Sequence, residues 1–233
     1  MYRIVIVLLS LCLTSCAGMM PQPNPQYVSR IDSYFSKAKS KTYKDSGKFT
    51  APVSYKVGQY VIQGMTGPDG RSISTMAIVG HEQGGWIIES RSLTPTSEST
   101  SQMLIKGLET AAKNNSIKDI DILWLKTKAN GQPVHTMEGA LLTMAQSFVK
   151  PALESLVITP STLQAGGTQK VIAGTFKGTT KTRSEVSFLG HSFASNIWLH
   201  PSVPLNGLVK SVADNGQTIE LLDFGLKGAT RSF

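Results

Sequence analysis

The side chains best suited to acid–base catalysis or metal binding are four histidines: His81, His135, His191 and His200. Zinc sites of common type use closely spaced sets such as His-x-x-x-His or His-Glu-x-x-His, and this sequence contains neither. We therefore interpret the histidines as surface or strand-end residues, and we expect no bound metal and no cofactor.

Catalysis would need a nucleophile with a base beside it. His81 and Glu82 stand next to Gly84-Gly85 and could move a proton at a hairpin tip, but no nucleophile is identifiable nearby. No Gly-x-Ser-x-Gly motif occurs, and Gly174 to Lys181 has the wrong glycine spacing for a phosphate-binding loop. We interpret those glycines as the positions at which a strand bends. Without a catalytic motif, we predict that the protein is not an enzyme. A hydrolase that uses His81, Glu82 and a serine is the alternative.

The two cysteines lie at the end of an apolar run near the start of the chain. Arg3 precedes Ile4 to Leu13, ten apolar or small residues that would extend about 15 Å as a helix. A bilayer core is about 30 Å thick, so the run predicts a signal peptide over residues 1–15 and not a membrane span.

The residues that follow, Leu13-Thr14-Ser15-Cys16, resemble the lipobox of bacterial lipoproteins. The resemblance implies cleavage before Cys16, a diacylglycerol on its thiol, palmitate among the acyl chains that Cys16 carries, and a membrane anchor. Ala17 replaces the aspartate that retains many such proteins in the inner membrane, so the expected location is the outer membrane, facing the periplasm. The alternative is an ordinary cleaved signal followed by a chance cysteine.

Processing at Cys16 would leave no free thiol, so neither a disulfide nor a cysteine-ligated metal is expected. The composition, 40% hydrophobic and 16% charged, suits one sizeable core. The net charge is +8, but no aromatic residues that could stack on bases stand between the basic residues. An exported chain also rarely meets nucleic acid, so no nucleic-acid partner is predicted. Anionic head groups could attract the basic residues, or these could form a solvated surface.

Residues 16–26 predict the acylated cysteine and a proline-rich tether. A helical stripe from Tyr27 to Ala38 then predicts an amphipathic helix, which could lie on a membrane or, as we favour, cover a sheet. A second helix is predicted over Glu138–Val149, ended by Pro151. Residues 27–233 show no linker and form one predicted domain.

Short segments rich in β-branched and aromatic residues indicate strands from residue 59 onward. The Asn130-Gly131 pair predicts a type I′ hairpin, whereas Thr96 to Lys106 fits a strand or, from Met103, a helix. The remaining strands are predicted at Gln59–Met65, Ser72–Val79, Gly85–Arg91, Ile120–Lys128, Gln132–Met137, Lys170–Ala173, Thr175–Thr182, Glu185–Leu189, Ser195–His200, Gly207–Ala213 and Gln217–Phe224. The order predicts an α+β, mainly β fold: a single curved antiparallel sheet, or half-barrel, with a few helices covering one face.

The C-terminal third carries Ile158-Thr159-Pro160, Ala173 to Lys177, Ile197 to Lys210 and Glu220 to Gly225. In these sequence segments the chain resembles uncharacterised bacterial envelope proteins. In its predicted strand order it is similar to the LolA/LolB-like half-barrel superfamily. The resemblance implies an incomplete barrel, lidded by helices, around an apolar cavity. Trp86, Trp124, Trp198, Leu141 and Phe148 are the residues predicted to line it, although tryptophans in strands also pack in ordinary cores.

Two functions follow as expectations. The first is a non-enzymatic, lipid-anchored envelope protein that binds a lipid or other apolar ligand in the half-barrel cavity. The second is a structural or interaction module of the outer membrane, with a filled core and an envelope protein as its partner.

Overall fold

The computed structural model describes residues 21–50, 54–68, 70–157, 162–188 and 191–233. Within them the chain forms one large, curved, unclosed sheet of twelve strands with three α-helices. The helices are α1 (Pro25–Phe35), α2 (Leu108–Asn114) and α3 (Gly139–Val157), and a short 3₁₀ helix spans Ile117–Asp119. The predicted mainly-β half-barrel is therefore confirmed.

The strands are β1 (Thr42–Tyr43), β2 (Tyr60–Gly67), β3 (Gly70–Glu82), β4 (Gly85–Leu93), β5 (Glu98–Lys106), β6 (Asp121–Ala129), β7 (His135–Met137), β8 (Gln164–Val171), β9 (Gly174–Phe188), β10 (His191–Leu199), β11 (Leu208–Ala213) and β12 (Thr218–Gly225). Their spatial order is β1-β9-β10-β11-β12-β2-β3-β4-β5-β6-β7, and β8 pairs with β9. Among the described pairings, β1 with β9 is parallel and the others are antiparallel.

One face of the sheet, here called the inner face, is filled by a continuous apolar core. Val61, Ile88 and Leu125 contribute to it from β2, β4 and β6, and the core reaches Phe176 of β9 and Leu221 of β12. Side chains from strands this far apart can share one cluster because the sheet curves around it. Both α2 and α3 insert apolar side chains into this cluster: Leu108, Ala111, Ala112, Val149 and Leu153.

Helix α1 covers the opposite, outer face, which carries Tyr60, Ile73 and Glu89. Its Ile31 is buried against Ile73 and the neighbouring apolar residues of the sheet. The expectation that all helices cover one face is therefore wrong. Gly64 explains the docking, because a Cβ at this position would lie 2.5 Å from Cζ of Phe35.

Three local predictions can be compared with the structure. Asn130 (φ 45°) and Gly131 (φ 74°) both have positive φ, as the type I′ hairpin requires. The prediction that Pro151 ends the second helix is wrong: α3 continues to Val157, and Leu153, one turn beyond Val149, joins the core. Between residues 96 and 114 the chain forms a strand and then a helix, β5 and α2.

Two strands predicted at Thr175–Thr182 and Glu185–Leu189 form one strand instead. Strand β9 runs without a break from Gly174 to Phe188, and it pairs with β8 in its first half and with β10 in its second. A polar stretch does not interrupt a strand that has hydrogen-bonding neighbours throughout. Leu189 lies outside the described residues, as does the Ile158-Thr159-Pro160 segment.

Candidate functional site

The three tryptophans predicted to line a cavity do not share one. Trp86 lies beside the inner core, where its indole N–H donates to a carboxylate oxygen of Glu109. Trp124 and Trp198 lie on the outer face on distant strands. A lysine ammonium covers each ring, Lys126 at 4.7 Å from the centroid of Trp124 and Lys181 at 5.3 Å from that of Trp198.

Of the other predicted site residues, the structure describes the side chain of Leu141 alone. Leu141 is 61% exposed on α3. The side chain of Phe148 lies outside what the structure describes, as do the predicted signal peptide and the Leu13-Thr14-Ser15-Cys16 motif, so the lipidation site stays a prediction. Among the described side chains, Trp86, Trp124, Trp198 and Leu141 do not line one common cavity.

The histidines differ in their surroundings. His81 packs edge-on against Trp86 with ring centroids 4.4 Å apart, and no nucleophile contacts it among the described contacts. His200 is fully buried: its Nε2 lies 3.1 Å from the carbonyl oxygens of both Lys44 and Lys177, and its Nδ1 accepts from the N–H of Ser202. His200 therefore fastens the segment before residue 50 to β9. His135 is exposed, and the His191 side chain is not described.

The described part of the chain contains no group of three or more His, Cys, Asp or Glu side chains that could hold a metal ion. In the same part, no helix has the length and apolarity needed to span a bilayer.

The outer face contains a cleft of about 300 Å³ between α1 and residues 228–230. Its floor consists of apolar side chains from β2, β3 and β4, namely Ile62, Ile73, Ala77 and Leu93. The hydroxyl-bearing side chains of Tyr34, Tyr60, Thr75 and Thr230 stand around that floor. The cleft therefore offers an apolar surface rimmed by hydrogen-bonding groups.

A bidentate ion pair forms one wall of the cleft. Arg30 of α1 donates from both Nη atoms to the carboxylate of Glu98 on β5, at 2.8 and 2.7 Å. The hydrogen bond from Arg30 lowers the pKa of Glu98, and the same bond raises the pKa of Arg30. The pair connects the helix to the sheet and is partly exposed, so it stabilises the fold only modestly.

A buried carboxylate lies at the other wall. Glu89 of β4 is 2% exposed, and its Oε1 accepts from Nε of Arg91 at 2.7 Å. Its Oε2 accepts from Nε2 of Gln102 at 2.8 Å and from the Oγ and N of Ser232 at 2.6 and 3.0 Å. Burial, the largest influence, raises the pKa of Glu89, but the hydrogen bonds from Ser232, Gln102 and Arg91 together outweigh it, and the net pKa is lowered.

Sequence reasoning missed this cluster. The available signal was an acid in the apolar run Trp86-Ile87-Ile88-Glu89, because a charge within a buried strand must be paired. Its partner Gln102 is aligned directly opposite on β5, but Ser232 is distant in sequence. The cluster combines a buried carboxylate acceptor with hydrogen-bond donors from Arg91, Gln102 and Ser232.

Comparison of the chain with models of known protein families and with curated proteins finds no match.

Proposed function

We propose that this chain is a lipid-anchored, non-enzymatic envelope lipoprotein that serves as an interaction module and holds an envelope protein against its outer face. The observation that supports the proposal is the filled inner face. Side chains of α2 and α3 pack into the volume that a half-barrel would need for a ligand, and Val149 and Leu153 are at most 3% exposed there. A domain whose interior is occupied by its own core binds from its surface.

A second candidate is an apolar ligand in the outer-face cleft, which the apolar floor at Ile62, Ile73 and Leu93 favours. The cleft volume of about 300 Å³ lies at the lower limit for small-molecule pockets, which span about 300–1,000 Å³. A protein side chain or peptide fits such a recess as well as a short apolar group does.

Photo-crosslinking in intact cells tests the protein-partner proposal. A photoreactive residue replaces Thr75 in the cleft, and the same residue at exposed Lys113 of α2 is the matched control. We expect one dominant crosslinked protein from position 75 and none from position 113. Equal crosslinking from both positions, or crosslinking to lipid alone at position 75, would contradict the proposal.

Metabolic palmitate labelling tests the anchor separately. We expect labelling of the wild type, loss of the label in Cys16→Ala, and retention in Cys12→Ala, which removes the neighbouring cysteine of the signal run. A Cys16→Ala protein that still carries palmitate would refute the anchor and leave the binding proposal standing.

A further inference from the structure

Residues 228–233, here called the terminal segment, lie across the outer face. The N–H of Ala229 donates to the carbonyl oxygen of Gly58 at 3.0 Å. Nη2 of Arg231 lies 3.6 Å from a carboxylate oxygen of Glu82. Ser232 then contacts Glu89, and the carbonyl oxygen of Phe233 accepts from Nε2 of Gln102 at 3.0 Å. The segment itself is mostly exposed, so few apolar contacts hold it in place.

The sheet prepares Glu89 for this contact from its own residues. Arg91 donates a hydrogen bond to Oε1, and Gln102 donates one to Oε2. Oε2 can accept further hydrogen bonds, and it faces the terminal segment. A buried carboxylate is stable only with such donors. Ser232 supplies two of them, a main-chain N–H and a hydroxyl, so the group that the sheet presents is a recognition site for a serine or threonine.

Two glycines on neighbouring strands and loops make room for the segment. A Cβ at Gly80 would lie 3.1 Å from Nη2 of Arg231. A Cβ at Gly58, where φ is +97°, would lie 3.1 Å from the N of Gly228. The outer face thus has a groove, here called the Glu89 groove, defined by Gly58, Gly80, Glu82, Glu89 and Gln102.

We infer that the Glu89 groove is a peptide-binding site that the terminal segment occupies in cis. Its partner is an extended peptide with a basic residue facing Glu82, then a serine or threonine whose N–H and hydroxyl bind Glu89, then a carbonyl that accepts from Gln102. The inference rests on the proposed function and narrows it, because it names an extended peptide as the part of the partner that is bound. The partner peptide displaces the terminal segment, which then acts as a competitor built into the chain.

The test uses the full chain and a fluorescent peptide with the sequence of residues 227–233. In the Ser232→Glu variant a second carboxylate faces Glu89, so we expect the terminal segment to leave and its amides to exchange faster with deuterium. The peptide then binds Ser232→Glu at least about tenfold more tightly than wild type, because a tethered competitor acts at a millimolar effective concentration. A peptide with alanine at the serine position binds about tenfold more weakly, since it lacks one hydrogen bond to a charged group.

The matched control is Glu89→Gln in the Ser232→Pro background, where release of the segment does not depend on charge repulsion; it removes the charged acceptor, and we expect it to lose the peptide. If Ser232→Glu fails to fold, Ser232→Pro removes the same N–H and hydroxyl without adding charge and gives the same readout. A released segment without peptide binding, or a segment that stays protected in both variants, would overturn the inference. If the peptide does not bind but crosslinking from position 75 persists, the groove is rejected and the proposed function stands. If the peptide binds but no protein is crosslinked from position 75, the proposed cellular partner is rejected.

Discussion

The docking of α1 on the outer face leads to a quantitative prediction at Gly64. Replacing Gly64 with alanine places a Cβ 2.5 Å from Cζ of Phe35 and 2.9 Å from Cδ1 of Leu222. Overpacking of this kind destabilises by about 1–3 kcal/mol. Alanine in a strand regains about 0.5–1 kcal/mol over glycine. We therefore expect Gly64→Ala to lower the free energy of unfolding by about 1 kcal/mol.

The partner change Phe35→Ala supplies the test of mechanism. Removing a fully buried phenylalanine side chain lowers stability by about 3–5 kcal/mol, and Phe35 is half-buried, so we expect about 2 kcal/mol. In the double variant the alanine at position 64 no longer meets the ring. The double variant should therefore lose less free energy of unfolding than the two single variants lose together. We expect the difference, the coupling energy, to be about 1 kcal/mol.

Urea denaturation of the four proteins, followed by tryptophan fluorescence and circular dichroism, measures this coupling. Gly85→Ala is the matched control, because its Cβ would lie 2.8 Å from the carbonyl oxygen of Ile105, away from α1. Gly85→Ala and Phe35→Ala should be additive. Additive losses for Gly64→Ala and Phe35→Ala would refute the placement of α1 against β2.

Further predictions concern the core and the buried polar groups. Leu153→Ala should lower the free energy of unfolding by about 2–5 kcal/mol and exposed Leu141→Ala by less than about 0.5, and equal effects would contradict the path of α3 past Pro151. His200→Ala should expose amides of residues 44–50 to faster deuterium exchange, and unchanged protection there would refute its bridging contacts. Because the pKa of Glu89 is lowered on folding, wild type should lose stability relative to Glu89→Gln as the pH falls below about 4.5, and a pH-independent difference would be contrary evidence.

The sequence was informative wherever local chemistry decides the structure. Asn130-Gly131 determines its hairpin through the positive φ of both residues. The apolar stripe that contains Tyr27 and Ile31 predicts α1, and segments rich in β-branched and aromatic residues predict the strands of the sheet. Both patterns can be recognised because each involves only a few neighbouring residues.

Long-range geometry decided what the sequence could not show. Trp86 is aligned with Ile105 and Trp124 with Leu104, adjacent residues of β5 that point to opposite faces, so the two rings are separated by the sheet. A register shift between Leu104 and Ile105 accompanies this arrangement, and local patterns do not reveal such shifts. The Glu89 site likewise depends on Ser232, which only the completed fold brings near.

Native mass spectrometry of the wild-type protein, extracted in mild detergent, tests the filled inner face most directly. With the core closed by Val149 and Leu153, we expect one mass, that of the chain with its covalent modifications, and the same mass after denaturation. A stoichiometric lipid that is present in the native spectrum and lost on denaturation, and that Leu153→Trp displaces, would show an open interior and contradict this account.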